Sequence, residues 1–405
     1  MLSIAKESMI YGQGTWSADT NSISSLIENL FFAKRKSRSG DGKTPRSWHE
    51  ALARPDREQW IKAIKEEYNA IVRNNTYVFV KDEGQPRLAC TWALKIKELP
   101  TGEIAKYKAR MCIRGDQQID GVDVFETYAP VVRLTVIRFV LSYIAANDWE
   151  TGQIDVDNAF LKSKLKEDEV IYMSQPPMFE MTDETGKPLL CKLIKAMYGL
   201  KQAPLRWFET FSSLLRRLGG VQSKLEPCLF YFHDKESELI GIVVIYVDDV
   251  LITAPNKHWI KNFKLDVQKV FAIKDLGEVN YLLGLQVKRN RKAKTLSLSQ
   301  QAKYTRDVIK RFEMDTCRPR STPIIQSGAF DPIDCVDEGK PTDSHLYRAM
   351  VGAAQWLSTC TRPDIAYTTS QAAKVSARPG EVHFRGIRHL LRDLQIFSSK
   401  DTCIR

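Results

Sequence analysis

The sequence predicts an α+β fold, and three observations carry that expectation. The stretch DREQWIKAIKEEYNAIV repeats apolar side chains at helical spacing (Trp60, Ile64, Tyr68, Ile71). YVFV, ALKIKEL and IAKYKARMCIRG are β-rich runs bounded by turn residues. GIVVIYVDDVLITA is a strand, an acidic break and a second strand. Apolar residues make up 43% of the 405-residue chain and charged residues 27%, which excludes wholesale disorder. The length accommodates two or three packed units. The 60 Lys and Arg outnumber 49 Asp and Glu, a net charge of +11 that favours a polyanionic partner, nucleic acid before membrane.

Residues 1–45, dominated by Ser, Gly and Lys/Arg, read as a disordered or linker tail, with a basic cluster at Lys34, Arg35, Lys36 and Arg38. Order is expected to begin at Ser47, whose spacing to Glu50 is that of a capping box. The helix through Trp60 follows, then the strands, with a turn at Pro100-Thr101-Gly102. Leu134–Asn147 is an apolar helix. QAPLRWFETFSSLLRRLGG is another: Pro204 suits its first turn, Gly219-Gly220 end it, and Phe208, Phe211, Leu215 and Leu218 form its expected core face. Further helices are expected over 257–271 (Ile260, Phe263, Val267, Phe271), over 301–313 (Tyr304, Val308, Phe312) and along HFRGIRHLLRDLQIF. No internal repeat interrupts this order. The eight cysteines show no CxxC or Cys/His knuckle spacing and read as reduced thiols of an intracellular protein, in cytoplasm or nucleus. The N-terminus lacks signal-peptide grammar, and no apolar run reaches the roughly 18 residues of a membrane helix.

The chemistry concentrates in carboxylates. Asp248 and Asp249 sit at the tip of a hairpin with apolar arms. Two unit charges about 4 Å apart repel by about 4 kcal/mol at an effective dielectric of 20, so such a pair between apolar strands calls for a cation or a solvated turn. Upstream, WETGQIDVDNAFLKSKL carries Asp155 in a strand-like IDV, with Phe160 five positions on. Asp157 shares the side of Asp155 unless a turn at Asp157-Asn158 releases it. Asp155, Asp248 and Asp249 together supply the hard oxygen ligands that two Mg²⁺ ions need for in-line phosphoryl transfer.

Taken in order, YKARMCIRGDQQIDGVDVFETYAPVVRLTVIR, QIDVDNAFLKSKL, EVIYMSQPPMFE, LIKAMYGLKQAPLRWFE, IYVDDVLIT, FAIKDLGEVNYLLGLQV and YRAMVGAAQWLSTCTRPDIAY resemble the reverse transcriptases of copia-type long-terminal-repeat retrotransposons, from about Ser47 nearly to the end. That resemblance implies a right-hand polymerase: fingers at about 75–131 and 163–204, palm at about 132–162 and 205–290, and a thumb or connection over 291–405, with the chain expected to stop before the ribonuclease H domain of family members. It implies that Asp155, Asp248 and Asp249 hold two Mg²⁺ (Mn²⁺ as substitute) and that Phe160 excludes ribonucleotides. By the same resemblance Lys108 or Arg110, the choice left open, supplies a cation to the triphosphate of the deoxynucleotide, Tyr198 and Gly199 pack against its base and the template, Leu283-Gly284-Leu285 grip the primer, and Lys274 protonates pyrophosphate. The implied partners are an RNA template, a DNA primer or RNA–DNA hybrid, dNTPs, and other products of the retrotransposon polyprotein.

Three positions depart from the family pattern. Asp116 and Gly220 stand where members carry aromatics, and Met178 where they carry glycine. The chain has no Asp-Thr-Gly or Asp-Ser-Gly of an aspartic protease. Two rival readings stand beside the polymerase: a catalytically inactive retroelement fragment that still binds nucleic acid, and a structural protein of the element's particle.

Overall fold

The computed structural model describes residues 44–98, 103–300, 302–325, 330–331, 343–396 and 402–404. The expected tail with its basic cluster, up to residue 43, and the turn at Pro100-Thr101-Gly102 lie outside the described residues. Helices and antiparallel sheets together make the mixed α and β architecture that the patterning predicts.

The chain divides into two compact units. One runs from the described N-terminal end to Phe125 and resumes over Leu165–Lys201. It opens with helix α1 (Trp48–Ala53), capped as the capping-box spacing predicts: the Ser47 hydroxyl accepts from the Glu50 N–H at 3.2 Å, and the Glu50 carboxylate accepts from the Arg46 N–H at 2.8 Å. Helix α2 (Arg57–Arg73) buries Trp60, Ile64 and Ile71. Trp60 meets the ring of Tyr107 edge-on at 4.8 Å. That tyrosine belongs to β3 (Ile104–Ile113), which pairs with β2 (Cys90–Glu98) as a long two-stranded ribbon. A separate three-stranded sheet sets β6 (Leu189–Leu193) between β1 (Tyr77–Lys81) and β5 (Tyr172–Met173).

The other unit comprises Glu126–Lys164 and Gln202–Arg405. Its centre is a six-stranded sheet in the order β11-β4-β10-β9-β8-β7, formed by β4 (Glu150–Val156), β7 (Val221–Gln222), β8 (Leu229–His233), β9 (Leu239–Tyr246), β10 (Asp249–Ala254) and β11 (Ile273–Gly277). The apolar side chains of these strands share one core with helices α3 (Leu134–Asn147), α4 (Ala203–Arg217) and α5 (Lys257–Gln268). A four-stranded sheet, β12 (Tyr281–Leu282) to β15 (Thr402–Ile404) with β13 (Leu285–Asn290) and β14 (Thr295–Gln300) between, follows. A second apolar core ties α6 (Ala302–Arg311), α7 (Ser344–Cys360), α8 (Ala366–Lys374) and α9 (Glu381–Ile396) together.

Two sequence expectations need correction. Helix α5 ends at Gln268, so Phe271 reaches the core from the turn beyond it, its N–H on the Val267 carbonyl at 2.9 Å. The buried face of α4 is Trp207, Phe211, Leu214 and Leu215, whereas Phe208 and Leu218 are only half-buried. Its end is as expected: Gly219 turns the chain at φ +92°, and the Gly220 N–H reaches the Leu215 carbonyl at 2.8 Å. A Cβ on Gly220 would come within 2.8 Å of the Phe232 ring, so the aromatic of family members finds no room in this packing.

Candidate active site

The central hairpin is built from continuous apolar runs buried on both faces. Val243, Val244, Ile245, Val250, Leu251 and Ile252 are all buried, which anchors both arms of β9 and β10 and leaves only the tip half-exposed. Tyr246 pairs with Asp249, so Val247 and Asp248 form a two-residue turn, and Asp249 is the first residue of β10. Val247 has φ +57°, and Asp248 is not among the positive-φ residues. A positive φ at the first turn position alone is the sign pattern of a type II′ turn, where glycine is the preferred residue. A β-branched side chain in that conformation costs about 1–3 kcal/mol. The surroundings impose it: the Trp207 indole N–H donates to the Val247 carbonyl, and the Val156 N–H donates to the Asp248 carbonyl at 3.2 Å.

Strand β4 runs antiparallel to β10 with Asp155 directly opposite Asp249. Asp155 thus meets Asp248 and Asp249, 93 and 94 positions further along the chain, at one end of one sheet. Burial pushes the Asp249 carboxyl above the usual carboxylate range, and the charges of Asp248 and Asp155 push it further; a hydrogen bond from Gln153 opposes them. The same environment raises the Tyr246 phenol, through burial first and then Asp249 and Asp248. On the other side of β4, Lys274 of β11 is the cross-strand partner of Asp155. Its ammonium lies 2.6 Å from Asp157 and 3.8 Å from Asp155, and the hydrogen bond to Asp157 holds its pKa above the ordinary lysine value. Asp157 is released from the strand as a turn at that point requires: β4 ends at Val156, the Asp157 N–H goes to the Ala272 carbonyl at 3.0 Å, and Asn158 takes φ +53°.

Phe160 lies on a 3₁₀ turn (Ala159–Lys162) and packs, half-buried, against the same core. Leu283-Gly284 is the two-residue turn between β12 and β13, with both residues at positive φ (+56° and +77°). Leu285 is fully buried core, and Leu283 packs against that core.

Lys108, Arg110, Tyr198 and Gly199 fall in the first unit, whereas the three aspartates belong to the second. There the structure brings Arg110, Tyr198 and Gly199 together at the end of β3. The Arg110 guanidinium stacks on the Tyr198 ring, 4.6 Å from its centroid. The Tyr198 carbonyl accepts from the Ile113 N–H at 2.8 Å. Gly199 has φ +99°, and a Cβ there would stand 2.1 Å from the Ile113 carbonyl oxygen, so the chain crosses the end of β3 only with glycine. In the ribbon's register Lys95 faces Lys108, Lys97 faces Lys106 and Ala93 faces Arg110, which puts five cations on one face. Sequence reasoning passed over Lys95, Lys97 and Lys106. Their signal is the i, i+2 spacing of lysines in ALKIKEL and IAKYKAR.

The donor set at the sheet end fits a divalent metal in its chemistry: three hard carboxylates, one of them, Asp249, raised by burial first and then by the charges of the other two. Among the described residues, however, no three His, Cys, Asp or Glu side chains converge tightly enough to enclose an ion.

A family model described as reverse transcriptase (RNA-dependent DNA polymerase) matches residues 74–326. The chain belongs to the reverse transcriptase family. It is 36% identical over 359 residues to the retrovirus-related Pol polyprotein from transposon TNT 1-94 of Nicotiana tabacum, covering 88% of this chain and 27% of that protein. It is 35% identical to the retrovirus-related Pol polyprotein from transposon RE1 of Arabidopsis thaliana, over 83% of this chain and 22% of that protein. A transposon Ty5-1 protein of Saccharomyces cerevisiae is 30% identical over 253 residues, 62% of this chain and 78% of that protein. The copia-type resemblance read from the motifs therefore holds. This reverse transcriptase chain spans 27% and 22% of the length of the two Pol polyproteins it matches. No helix among its described residues is long and apolar enough to cross a membrane.

Proposed function

We propose that this chain is an RNA-directed DNA polymerase that adds deoxynucleotides to a primer 3′-hydroxyl on an RNA or DNA template. The observation that carries the proposal is the register that sets Asp155 opposite Asp249, one residue from Asp248, in a chain of the reverse transcriptase family. The six-stranded sheet serves as palm, the unit holding the β2–β3 ribbon as fingers, and the helical core beyond Ala302 as thumb or connection. Asp155, Asp248 and Asp249 are the residues that would hold two Mg²⁺ ions, whose bound chemistry is Lewis acidity at the primer hydroxyl and neutralisation of the leaving pyrophosphate.

The chain's own residues do the rest. Lys274 Nζ, kept protonated by Asp157, is the proton donor for the leaving pyrophosphate. The bulk of Phe160 occupies the space of a ribose 2′-hydroxyl. Arg110, oriented by its stacking on Tyr198, supplies a fixed cation to the triphosphate, and of the two candidates Lys108 and Arg110 this orientation favours Arg110. Leu283-Gly284-Leu285 supports the primer end. The five-cation face of the ribbon tracks a phosphate backbone.

One observation favours the second reading, a fragment that binds nucleic acid without catalysis. No acidic trio among the described residues closes on a metal position. Primer extension on poly-rA/oligo-dT with Mg²⁺, comparing wild type with Asp248→Asn, separates the two. The polymerase reading expects incorporation by wild type and its loss in the variant. Binding of the hybrid by both proteins with no incorporation by either favours the fragment.

A further inference from the structure

The Val247-Asp248 turn needs a backbone conformation that valine resists, and one side chain outside the hairpin holds it there. Trp207 is buried in the middle of α4, its ring packed against Phe211 at 5.2 Å and edge-on to Phe271 at 5.5 Å. Its indole N–H, a donor that must find an acceptor when buried, is spent on the Val247 carbonyl. That carbonyl belongs to the peptide joining Val247 to Asp248, so the hydrogen bond fixes the plane from which the Asp248 side chain departs. Opposing residues in the sheet fix Asp249 through its pairing with Asp155 and Tyr246. Within the turn, the Asp248 carbonyl is held by the Val156 N–H of β4 at 3.2 Å, and the Val247 carbonyl is held from α4.

We propose that Trp207 is a positioning residue of the active site: its indole N–H holds the Val247 turn in the left-handed conformation that presents Asp248 and Asp249 together. The inference rests on the polymerase reading and deepens it. Phenylalanine would fill most of the same volume but could not donate, and glycine at 247 would adopt the positive φ without a tie. The two substitutions should therefore compensate one another, which simple loss of packing would not do.

The test is a cycle of four full-length proteins: wild type, Trp207→Phe, Val247→Gly and the double variant. Each is assayed for dTTP incorporation on poly-rA/oligo-dT and for Mn²⁺ binding by electron paramagnetic resonance. Trp207→Phe is expected to lower kcat at least tenfold with the KM for dTTP changed less than twofold, and to weaken Mn²⁺ binding about fivefold. Adding Val247→Gly to that background is expected to recover most of both losses. Unchanged kcat in Trp207→Phe, or a double variant no better than Trp207→Phe, overturns the proposal. If wild type incorporates nothing, the polymerase reading fails by itself, and the Mn²⁺ arm still decides the tie: equal binding, or none, in all four proteins overturns it. Should Trp207→Phe not fold, benzothienylalanine at position 207 deletes the N–H while keeping the bicyclic shape, and the same outcomes apply.

Discussion

Asp155 and Asp249 are direct cross-strand partners at the end of the central sheet, two carboxylates held face to face by the register of β4 and β10. Like charges directly opposite in a sheet are destabilising, and nothing about folding requires this pair. Buried apolar neighbours, Ile154 and Val156 on β4 and Val250, Leu251 and Ile252 on β10, hold the aspartates together despite their repulsion.

Replacing Asp249 by Asn should therefore stabilise the protein while abolishing incorporation. Burial and the neighbouring charges raise the Asp249 pKa in the folded state, so the folded protein binds that proton more tightly than the unfolded chain does. Stability is then lost as pH rises from the ordinary carboxylate range through the raised value. Asn carries no such penalty. Thermal melts in metal-free buffer should show Asp249→Asn melting a few degrees above wild type at pH 7, with the gap closing as pH falls below about 4. A variant that melts lower at pH 7, or a gap that does not depend on pH, would contradict the electrostatic account.

Phe160 sits on the turn that follows Asp155 and is half-buried against the core beneath the hairpin. Shortening it to Ala should open the space facing the sugar. The ratio of kcat/KM for ribonucleotides to that for deoxynucleotides should rise at least tenfold in Phe160→Ala, while deoxynucleotide incorporation persists. An unchanged ratio would remove Phe160 from the sugar site.

The ribbon face predicts a salt effect. Lys95→Ala with Lys97→Ala removes two of the five cations that the β2–β3 register gathers. If these lysines contact backbone phosphates, hybrid affinity should fall and the slope of log K against log salt should flatten by about 2. Fluorescence anisotropy of a labelled RNA–DNA hybrid over a salt series measures both. An unaltered slope would mean that the face points to some other anion.

Much of this site was legible in the sequence because its parts are local. The strand–Asp-Asp–strand pattern fixed the hairpin, and IDV fixed the strand bearing Asp155. What escaped was non-local or depended on a backbone angle. Trp207 falls outside the helical stripe drawn through Phe208 and Phe211, and only the fold shows that its N–H meets Val247. The partnership of Lys274 with Asp157 likewise depends on β11 pairing with β4, more than a hundred residues apart in the chain. The cation face of the ribbon was written in the lysine spacing, but it becomes a face only once β2 and β3 are in register.

Met178 offers a test of backbone strain away from the chemistry. The Phe179 N–H reaches the Pro176 carbonyl at 3.0 Å, closing a turn with Pro177 and Met178 at its centre, and Met178 takes φ +78°. Proline then a positive φ is a type II turn, which calls for glycine at its third residue. The neighbours pin the turn in place: the Trp92 indole donates to the Pro177 carbonyl at 3.1 Å, and Phe179 stacks on Tyr68 at 3.7 Å. A left-handed conformation costs an L residue about 1–2 kcal/mol, which glycine escapes, against about 0.5–1 kcal/mol of extra chain entropy that glycine loses on folding. Met178→Ala sheds the half-buried side chain and keeps the strain, whereas Met178→Gly sheds both. Urea unfolding should therefore find Met178→Gly more stable than Met178→Ala by about 1 kcal/mol. Equal midpoints, or alanine the more stable, would show that the turn relaxes and that Met178 bears no strain.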